Sequence, residues 1–487
     1  MPSASLSARW MGVSRAGAVG PIRCYGSRSV RLALDSPAPV AHQIRLTVDL
    51  LALTGSAPDV RLEPALSVTV PRGIGVPDLP LSYLVGGGVR DLLLGRRPKD
   101  FDISTDAHPR AIKKLFRNCF LIGKRFRLAH IRFGQNVIET STFRAEPVPM
   151  DPSEDLYEDR NNTFGTPDQD AHRRDFTVNG LFYDIKTFHV IDFVGGLADL
   201  DARKIRSIGD PRIRFREDPV RMLRAVRFAS RLDFTIEKVT FAAIRELHAE
   251  IKKAAPPRML EDIGKLFGFG ASEAAFRLLL KTGMFVDMFP ELAELMAEKR
   301  HDVEEMWACL ATLDKRLKKE VDGPLAIKLV MLLYAPFQWV QTKRRAVGRP
   351  VDQTEIAESL IGPLAVRFNV PKRVVHDVIH MLACQQRLDD PRRRFSKRRF
   401  VMQPTFAGAF LAYQMACECG VIKSQQTDFW LNQCQENEIS PPKLLAGLVP
   451  SATRAPRGRS KGRPRRRPRG DRGRGGRRPP DAEAPKH

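Results

Sequence analysis

The chain has 487 residues and carries 80 lysines and arginines against 56 aspartates and glutamates, a formal net charge of +24. That length gives room for roughly two to four domains and a sizeable core, and that charge favours a polyanionic partner, nucleic acid or an acidic membrane surface. No run of 18 or more apolar residues occurs, since the nearest (406–422) is broken by Tyr413, Gln414 and Glu418, which argues against a membrane-spanning helix. The seven cysteines are odd in number and scattered, so they read as reduced thiols in a cytosolic compartment and not as a disulfide framework. Cys417-Glu418-Cys419 lacks CxxC spacing and has no nearby histidine, so it does not read as a zinc site. Residues 1–34 hold arginines and serines but no acid, which is compatible with an organellar transit peptide, a disordered extension or an over-long start; the cytoplasmic reading is preferred. Residues 35–80 have short apolar segments, and Pro71, Gly73, Gly75, Pro77 and Pro80 rule out a long helix there.

From Leu84 the signals become dense. Leu84 and Val85 run into Gly86, Gly87 and Gly88, and an amphipathic segment follows from Val89 to Leu94 with Arg90 and Asp91 at its start. Glycines at such a turn let a backbone approach phosphates closely, with Gly86, Gly87 and Arg90 as the expected cradle. Then comes Asp100-Phe101-Asp102-Ile103, read as a strand. Alternation puts Asp100 and Asp102 on one face and Phe101 and Ile103 on the other, in a core. Two like charges so close repel, and a cation relieves them; hard oxygen ligands on a rigid strand suit Mg²⁺. Residues 108–116 predict a helix. The next stretch, CFLIGKRFRLAHIRFGQNVIETSTFR, predicts two strands around a glycine-bearing turn, and its Glu139 is either a third carboxylate beside the Asp pair or a surface side chain on an edge strand. Residues 150–170 read as a long polar loop. In RRDFTVNGL, residues Arg174, Asp175 and Asn179 offer charge and hydrogen bonds for a triphosphate and ribose, or else a salt-bridged helix start. Val190 to Val194 reads as a strand, closed by a Gly195-Gly196 turn.

In REDPVRMLRAVRF, Asp218 and Pro219 predict an N-cap and first helical position. Arg221, Arg224, Arg227 and Arg231 recur every three or four residues and form one basic stripe, while Val220, Leu223, Val226 and Phe228 lie toward a core. From Ile236 to Gly447 the period is helical, with segments at 241–251, 274–280, 303–313, 326–334, 354–366 and 373–388. Residues 392–399 (RRRFSKRR) with Phe395 and Phe400 suit a single-stranded RNA backbone with occasional stacking, or a solvated helix end. Residues 451–487 hold 12 arginines and 2 lysines against 3 acids, so +11 of the +24 sits there. That composition buries no core and predicts a disordered tail with salt-sensitive RNA affinity.

The order GG…RD…DxD resembles the head of the polymerase-β-like nucleotidyltransferases, and LVGGGVRDLLLG…KDFDIST resembles their class II branch of bacterial poly(A) polymerases and CCA-adding tRNA nucleotidyltransferases. RRDFTVNGL and IDFVGGLADLDARKIR are similar to that family's second signature and its hinge. The family's matching loop, here 150–170, is mobile and helps reorient substrates. EDPVR is similar to the motif that reads the incoming base, which implies nucleotide selection by Asp218 and Arg221, with Glu217 orienting Arg221 and Arg224 on the same face.

The resemblance implies an α+β fold with a mixed-sheet head followed by an all-α neck and body. The expected boundaries are an ill-defined extension at 1–80, a catalytic head at 81–212, a neck at 213–290, a body at 291–450 and the tail at 451–487. Two Mg²⁺ held by Asp100 and Asp102, with ATP as substrate and RNA 3′ ends as partner, would support nucleotidyl transfer by a monomer. RNCFLIGKRFRLAHIRFG and the arginine-rich tail favour the poly(A) branch. A CCA-adding enzyme and a non-catalytic RNA-binding protein with a relic head stay open as alternatives.

Overall fold

The computed structural model describes residues 80–439 apart from 124–127, 135, 146–163, 299–302, 318–322 and 424–425. The expectations for residues 1–79, for most of the polar loop and for the tail at 451–487 lie outside the described residues. The N-terminal half builds β1 (Ser82–Val85), α1 (Gly87–Leu93), β2 (Asp102–Thr105), α2 (Pro109–Leu115), β3 (Cys119–Ile122), β4 (Leu128–Phe133), β5 (Asn136–Thr142), α3 (Pro167–Arg173), β6 (Leu181–Asp184), β7 (His189–Asp192), α4 (Gly196–Asp201) and β8 (Lys204–Ile205). Seven strands make one mixed sheet in the order β3-β4-β5-β2-β1-β6-β7, in which only the β2–β5 pair is parallel.

The sheet departs from expectation in three ways. The 119–144 stretch gives three strands, not two, because Gly123 interrupts the first apolar run and Gly134, at φ +58°, turns β4 into β5. The strand that carries the acidic pair begins at Asp102, so Asp100 lies just ahead of it. The end of the expected loop is helical: Thr166 caps α3 by accepting from the Gln169 amide at 3.4 Å, and Gln169 Oε1 accepts in return from the Thr166 amide at 3.0 Å.

The remainder is helical: α5 (Pro211–Glu217), α6 (Val220–Leu232), a two-residue β9 (Thr235–Ile236), α7 (Lys238–Leu247), α8 (Pro256–Leu266), α9 (Ser272–Thr282), α10 (Met284–Met288), α11 (Pro290–Glu298), α12 (Val303–Leu317), α13 (Leu325–Ala346), α14 (Gln353–Phe368), α15 (Lys372–Ala383), α16 (Gln385–Asp389), α17 (Lys397–Val401), α18 (Phe406–Glu418) and α19 (Thr427–Glu436). α13 continues well past the expected end at Tyr334, with Pro336 inside it, because it is buried on every side through residues 329–337 and tertiary packing overrides the local breaker. One apolar core runs from Val89 and Phe176 under the sheet through Phe228 on α6 to Trp430 on α19. β9 pairs in parallel with β8, so the chain is stitched together where sheet gives way to helices. No described helix is long and apolar enough to cross a membrane.

Candidate active site

Asp100, Asp102 and Glu139 lie around the start of β2. Register places Asp102 opposite Glu139 on one side and Val85 on the other, so Asp102 and Glu139 share a sheet face. Asp100 and Glu139 are exposed and Asp102 is half-buried. Burial first, then the charges of Asp100 and Glu139, push the Asp102 carboxyl up to about 6, against an opposing pull from Arg174. Glu139 also lies 3.5 Å from His130 Nε2. Among the described residues, no three His, Cys, Asp or Glu side chains already converge to hold an ion. Two crowded carboxylates still suit Mg²⁺, which takes one or two such ligands and completes its shell with water and substrate phosphate.

The glycine turn stands beside this group. Gly86 has φ +73° and ψ −134°, a conformation that L side chains rarely adopt, and a Cβ there would come 2.9 Å from Arg174 Nη1. A Cβ on Gly88 would lie 3.4 Å from the Asp100 carbonyl oxygen, so the start of α1 leans on the acidic segment. Arg174 leaves α3 over the turn. It donates to Asp170 at 2.9 Å and to Ser104 at 3.2 Å, and it lies 5.1 Å from the Phe182 ring centroid. Its Nε is buried without a hydrogen-bond partner, a donor left over after the protein's own acceptors are spent.

Arg90 corrects the expected phosphate cradle. It is 1% exposed, with both its Nε (2.9 Å) and Nη2 (2.6 Å) on Asp91 and its Nη1 on Asn179. Buried there, it braces the turn from behind instead of facing the cleft. Asn179 donates on to Asp175 at 3.1 Å, and Asp175 accepts from Arg224 Nε at 2.7 Å. Burial alone would raise the Asp175 carboxyl, but the Arg224 charge and hydrogen bonds from Asn179, Arg224 and the Phe176 amide hold it below the ordinary carboxylate range. Asp91 reaches the same helix at Arg231 (2.7 Å).

The arginine stripe of α6 is therefore a docking face and not a solvated one. Arg221 pairs with Glu217 (3.0 Å), Arg224 with Asp175, Arg227 with Asp262 and Arg231 with Asp91. Phe228 lies beneath three guanidinium groups, of Arg90, Arg224 and Arg227, at 5.1, 5.6 and 4.6 Å. α6 begins at Val220, one residue later than expected, although the Asp218 carboxylate does accept from the Val220 amide at 3.3 Å. Its other oxygen takes Arg258 of α8 at 2.6 Å.

Sequence reasoning passed over Asp170, Ser104 and Arg258. Asp170 had a signal, an acid four residues before Arg174 on one helix; Ser104 and Arg258 had none, being placed by sheet register and by the fold of α8. In the basic patch, Arg392, Arg393, Arg394, Arg398 and Arg399 are exposed. Phe395 is not splayed outward: it stacks on Trp430 with centroids 6.4 Å apart, under Lys397 Nζ at 4.1 Å.

Three family models match in sequence: the poly A polymerase head domain over 82–206, the probable RNA and SrmB-binding site of polymerase A over 233–296, and the polymerase A arginine-rich C-terminus over 354–471. Poly(A) polymerase I of Salmonella typhi is 35% identical over 404 residues, which cover 79% of this chain and 85% of that protein. A CCA-adding enzyme of Lactobacillus helveticus is 39% identical over 213 residues, 44% of this chain and 52% of that one. Among solved structures, the Bacillus stearothermophilus CCA-adding enzyme in complex with CTP matches with a TM-score of 0.54 at 25% identity, over 73% of this chain and 78% of that one.

Proposed function

The chain belongs to the bacterial-type class II nucleotidyltransferases, the family of poly(A) polymerase I and the CCA-adding enzymes, and from that premise we propose that it is a polyadenylating member. It carries out template-independent nucleotidyl transfer to RNA 3′ ends. In the proposed reaction AMP passes from ATP to the 3′-hydroxyl and pyrophosphate leaves.

The observation that carries this reading is the half-buried Asp102 crowded by Asp100 and Glu139 next to the Gly86 turn. Asp100 and Asp102 would hold two Mg²⁺, with Glu139 beside them. Bound there, the ions supply activation of the 3′-hydroxyl and stabilise charge on the triphosphate and departing pyrophosphate. Arg174, fixed by Asp170 and Ser104, would turn its Nη1 edge, beside Gly86, toward a triphosphate oxygen. Gly86, without a side chain, leaves room for that approach. Arg90 and Asn179 keep the turn and Asp175 in place from below. Asp218 and Arg221 would present an acceptor and donors to the base edge, with Glu217 holding Arg221. The exposed arginines of 392–399 and the charge of 451–487 would grip RNA phosphates. In this division of labour, residues 81–212 do the chemistry, 213–290 select the nucleotide and 291–450 hold RNA in the cytoplasm of the cell.

A second reading, CCA addition to tRNA, is favoured by the likeness to a solved CCA-adding enzyme bound to CTP. One assay separates the two. Full-length protein with Mg²⁺, a generic RNA and each NTP in turn should extend the RNA with ATP alone, into long tails. Extension confined to tRNA and ending at CCA would replace the proposal with the second reading. Replacing both Asp100 and Asp102 by Ala should abolish AMP incorporation while RNA binding persists; unchanged incorporation would sink the proposed site.

A further inference from the structure

Two thiols meet inside the helical body, between α12 and the end of α18. Cys309 on α12 is fully buried, and Cys419, half-buried, caps the end of α18. They are 110 residues apart in sequence, yet their sulfurs are 3.7 Å apart. A disulfide has its sulfurs roughly 2.05 Å apart, so closure asks for about 1.7 Å of relative movement. That movement falls at a helix end. Gly420 follows at φ +80° with nothing within 4 Å of an added Cβ, so the turn carrying Cys419 has space around it. Arg316 and Glu418 already tie the same two helices by a 3.1 Å hydrogen bond.

The pair also has the chemistry of an attacking and a resolving thiol. The Cys309 S–H donating toward Cys419 holds the Cys419 thiol below the ordinary cysteine range, which favours its thiolate. The same hydrogen bond, followed by burial, pushes the Cys309 thiol well above the ordinary range, and burial raises Cys384 (to about 11), Cys417, Cys434 and Cys119, so Cys419 is the attacking thiolate and Cys309 resolves from its protonated form.

We propose that Cys309 and Cys419 form a reversible disulfide under peroxide stress, a modification site that staples α12 to the end of α18. The Cys419 thiolate attacks one oxygen of hydrogen peroxide. The O–O bond breaks, the leaving hydroxide takes up a proton as water, and Cys419 becomes a sulfenic acid. The Cys309 sulfur then attacks the Cys419 sulfur; the S–O bond breaks and the hydroxyl departs as water with the Cys309 proton. Two thiols and one peroxide give one disulfide and two waters, a balanced two-electron oxidation. A thiol reductant reverses it by exchange. The site does not depend on which nucleotide the head transfers.

The test uses the intact chain, folded, treated with increasing hydrogen peroxide, blocked with N-ethylmaleimide and digested without reductant. The expected product is a Cys309–Cys419 linked peptide that dithiothreitol erases. A link across the body restrains the unfolded chain, so the oxidised protein should melt at a higher temperature than the reduced one. Cys309→Ser should halt at a dimedone-reactive Cys419, Cys419→Ser should give neither product, and Cys417→Ser should behave as wild type. Mapping in the unsubstituted protein stands even where a variant folds poorly. A Cys417–Cys419 link, oxidation of Cys384 or Cys434 ahead of Cys419, or a lower melting temperature after linkage would each overturn the proposal.

Discussion

Asp102 is a single side chain whose ionised form costs stability. Its folded pKa, about 6, stands above the ordinary aspartate value. Protonation therefore favours the fold: the stability this group contributes is complete below about pH 4 and is lost as pH rises through about 6. Asp102→Asn removes the ionised form, so without divalent ions the variant should melt above wild type at pH 7.5. After discounting for its contact with water the gain is roughly 1–2 kcal/mol, and it should vanish below about pH 4 in a pH series of thermal melts. Incorporation of AMP should be lost in the same variant. A melting temperature equal to wild type at pH 7.5 would show that the acidic neighbours do not crowd Asp102. Gly86→Ala makes the complementary case. The backbone conformation costs about 1–3 kcal/mol for any L side chain, and the new methyl pushes on Arg174. The expected outcome is a rise of about tenfold or more in KM for ATP, with RNA affinity unchanged by filter binding. Both positions were legible in the sequence, because glycine repetition and an Asp-x-Asp pair are local signals. The place of Arg90 was not: its motif position suggests a phosphate contact, and only its bond to Asn179 and its packing over Phe228 show it facing inward.

At the scale of one element, α6 joins sheet to helices through charge. Asp175 is held below the carboxylate range, so the stability it contributes is present above about pH 4 and is lost as pH falls through its folded value. Arg224→Ala leaves that buried carboxylate short of its main partner, and a loss of about 3 kcal/mol at pH 7 is expected. Because Asp175 then has less to lose on protonation, acid unfolding of the variant should be shallower than that of wild type, as read by circular dichroism across pH 2 to 5. Helical spacing made the stripe visible in the sequence, but an arginine row looks the same whether it faces water or aspartates from another element. The acids that decide it, at positions 91, 175 and 262, are dispersed along the chain. Arg258 is the same kind of case. Its link to Asp218 is exposed, so Arg258→Ala should change stability by less than about 1 kcal/mol. It should nevertheless free the Asp218 carboxylate to accept from any exocyclic amino group. CTP incorporation relative to ATP is expected to rise about five- to tenfold, a shift near 1 kcal/mol; an unchanged ratio would show that Arg258 takes no part in selection.

At the scale of the whole molecule, the proposed function would separate specificity from grip. Strands β6 and β7, α6 and α8 share one core, and the β8–β9 pair lies between the sheet and the helices, so the proposed sites of base reading and chemistry would sit on one packed unit. That continuity was only partly legible. Helical periodicity announced an all-α second half, yet α10, α16 and α17 are too short to show a period, and α13 runs through a proline because its surroundings bury it. Charge is distributed otherwise. Of the net +24, the segment 451–487 carries +11 with 14 basic residues, which leaves +13 on the rest. Grip on RNA should therefore divide between the two and be separable by salt. If about four of the basic residues in 451–487 meet phosphates, each contributes about 0.7 to the slope of log affinity against log salt on a single strand, nearly three units together. A chain ending at residue 450 should bind generic single-stranded RNA with a slope shallower by that amount. Its affinity should fall most at low salt and approach that of the full chain as salt rises, while the rate of AMP addition at saturating RNA stays the same. Equal slopes for the two chains in filter-binding titrations would place the RNA contacts outside 451–487, where the exposed arginines of 392–399 are one basic surface able to supply them.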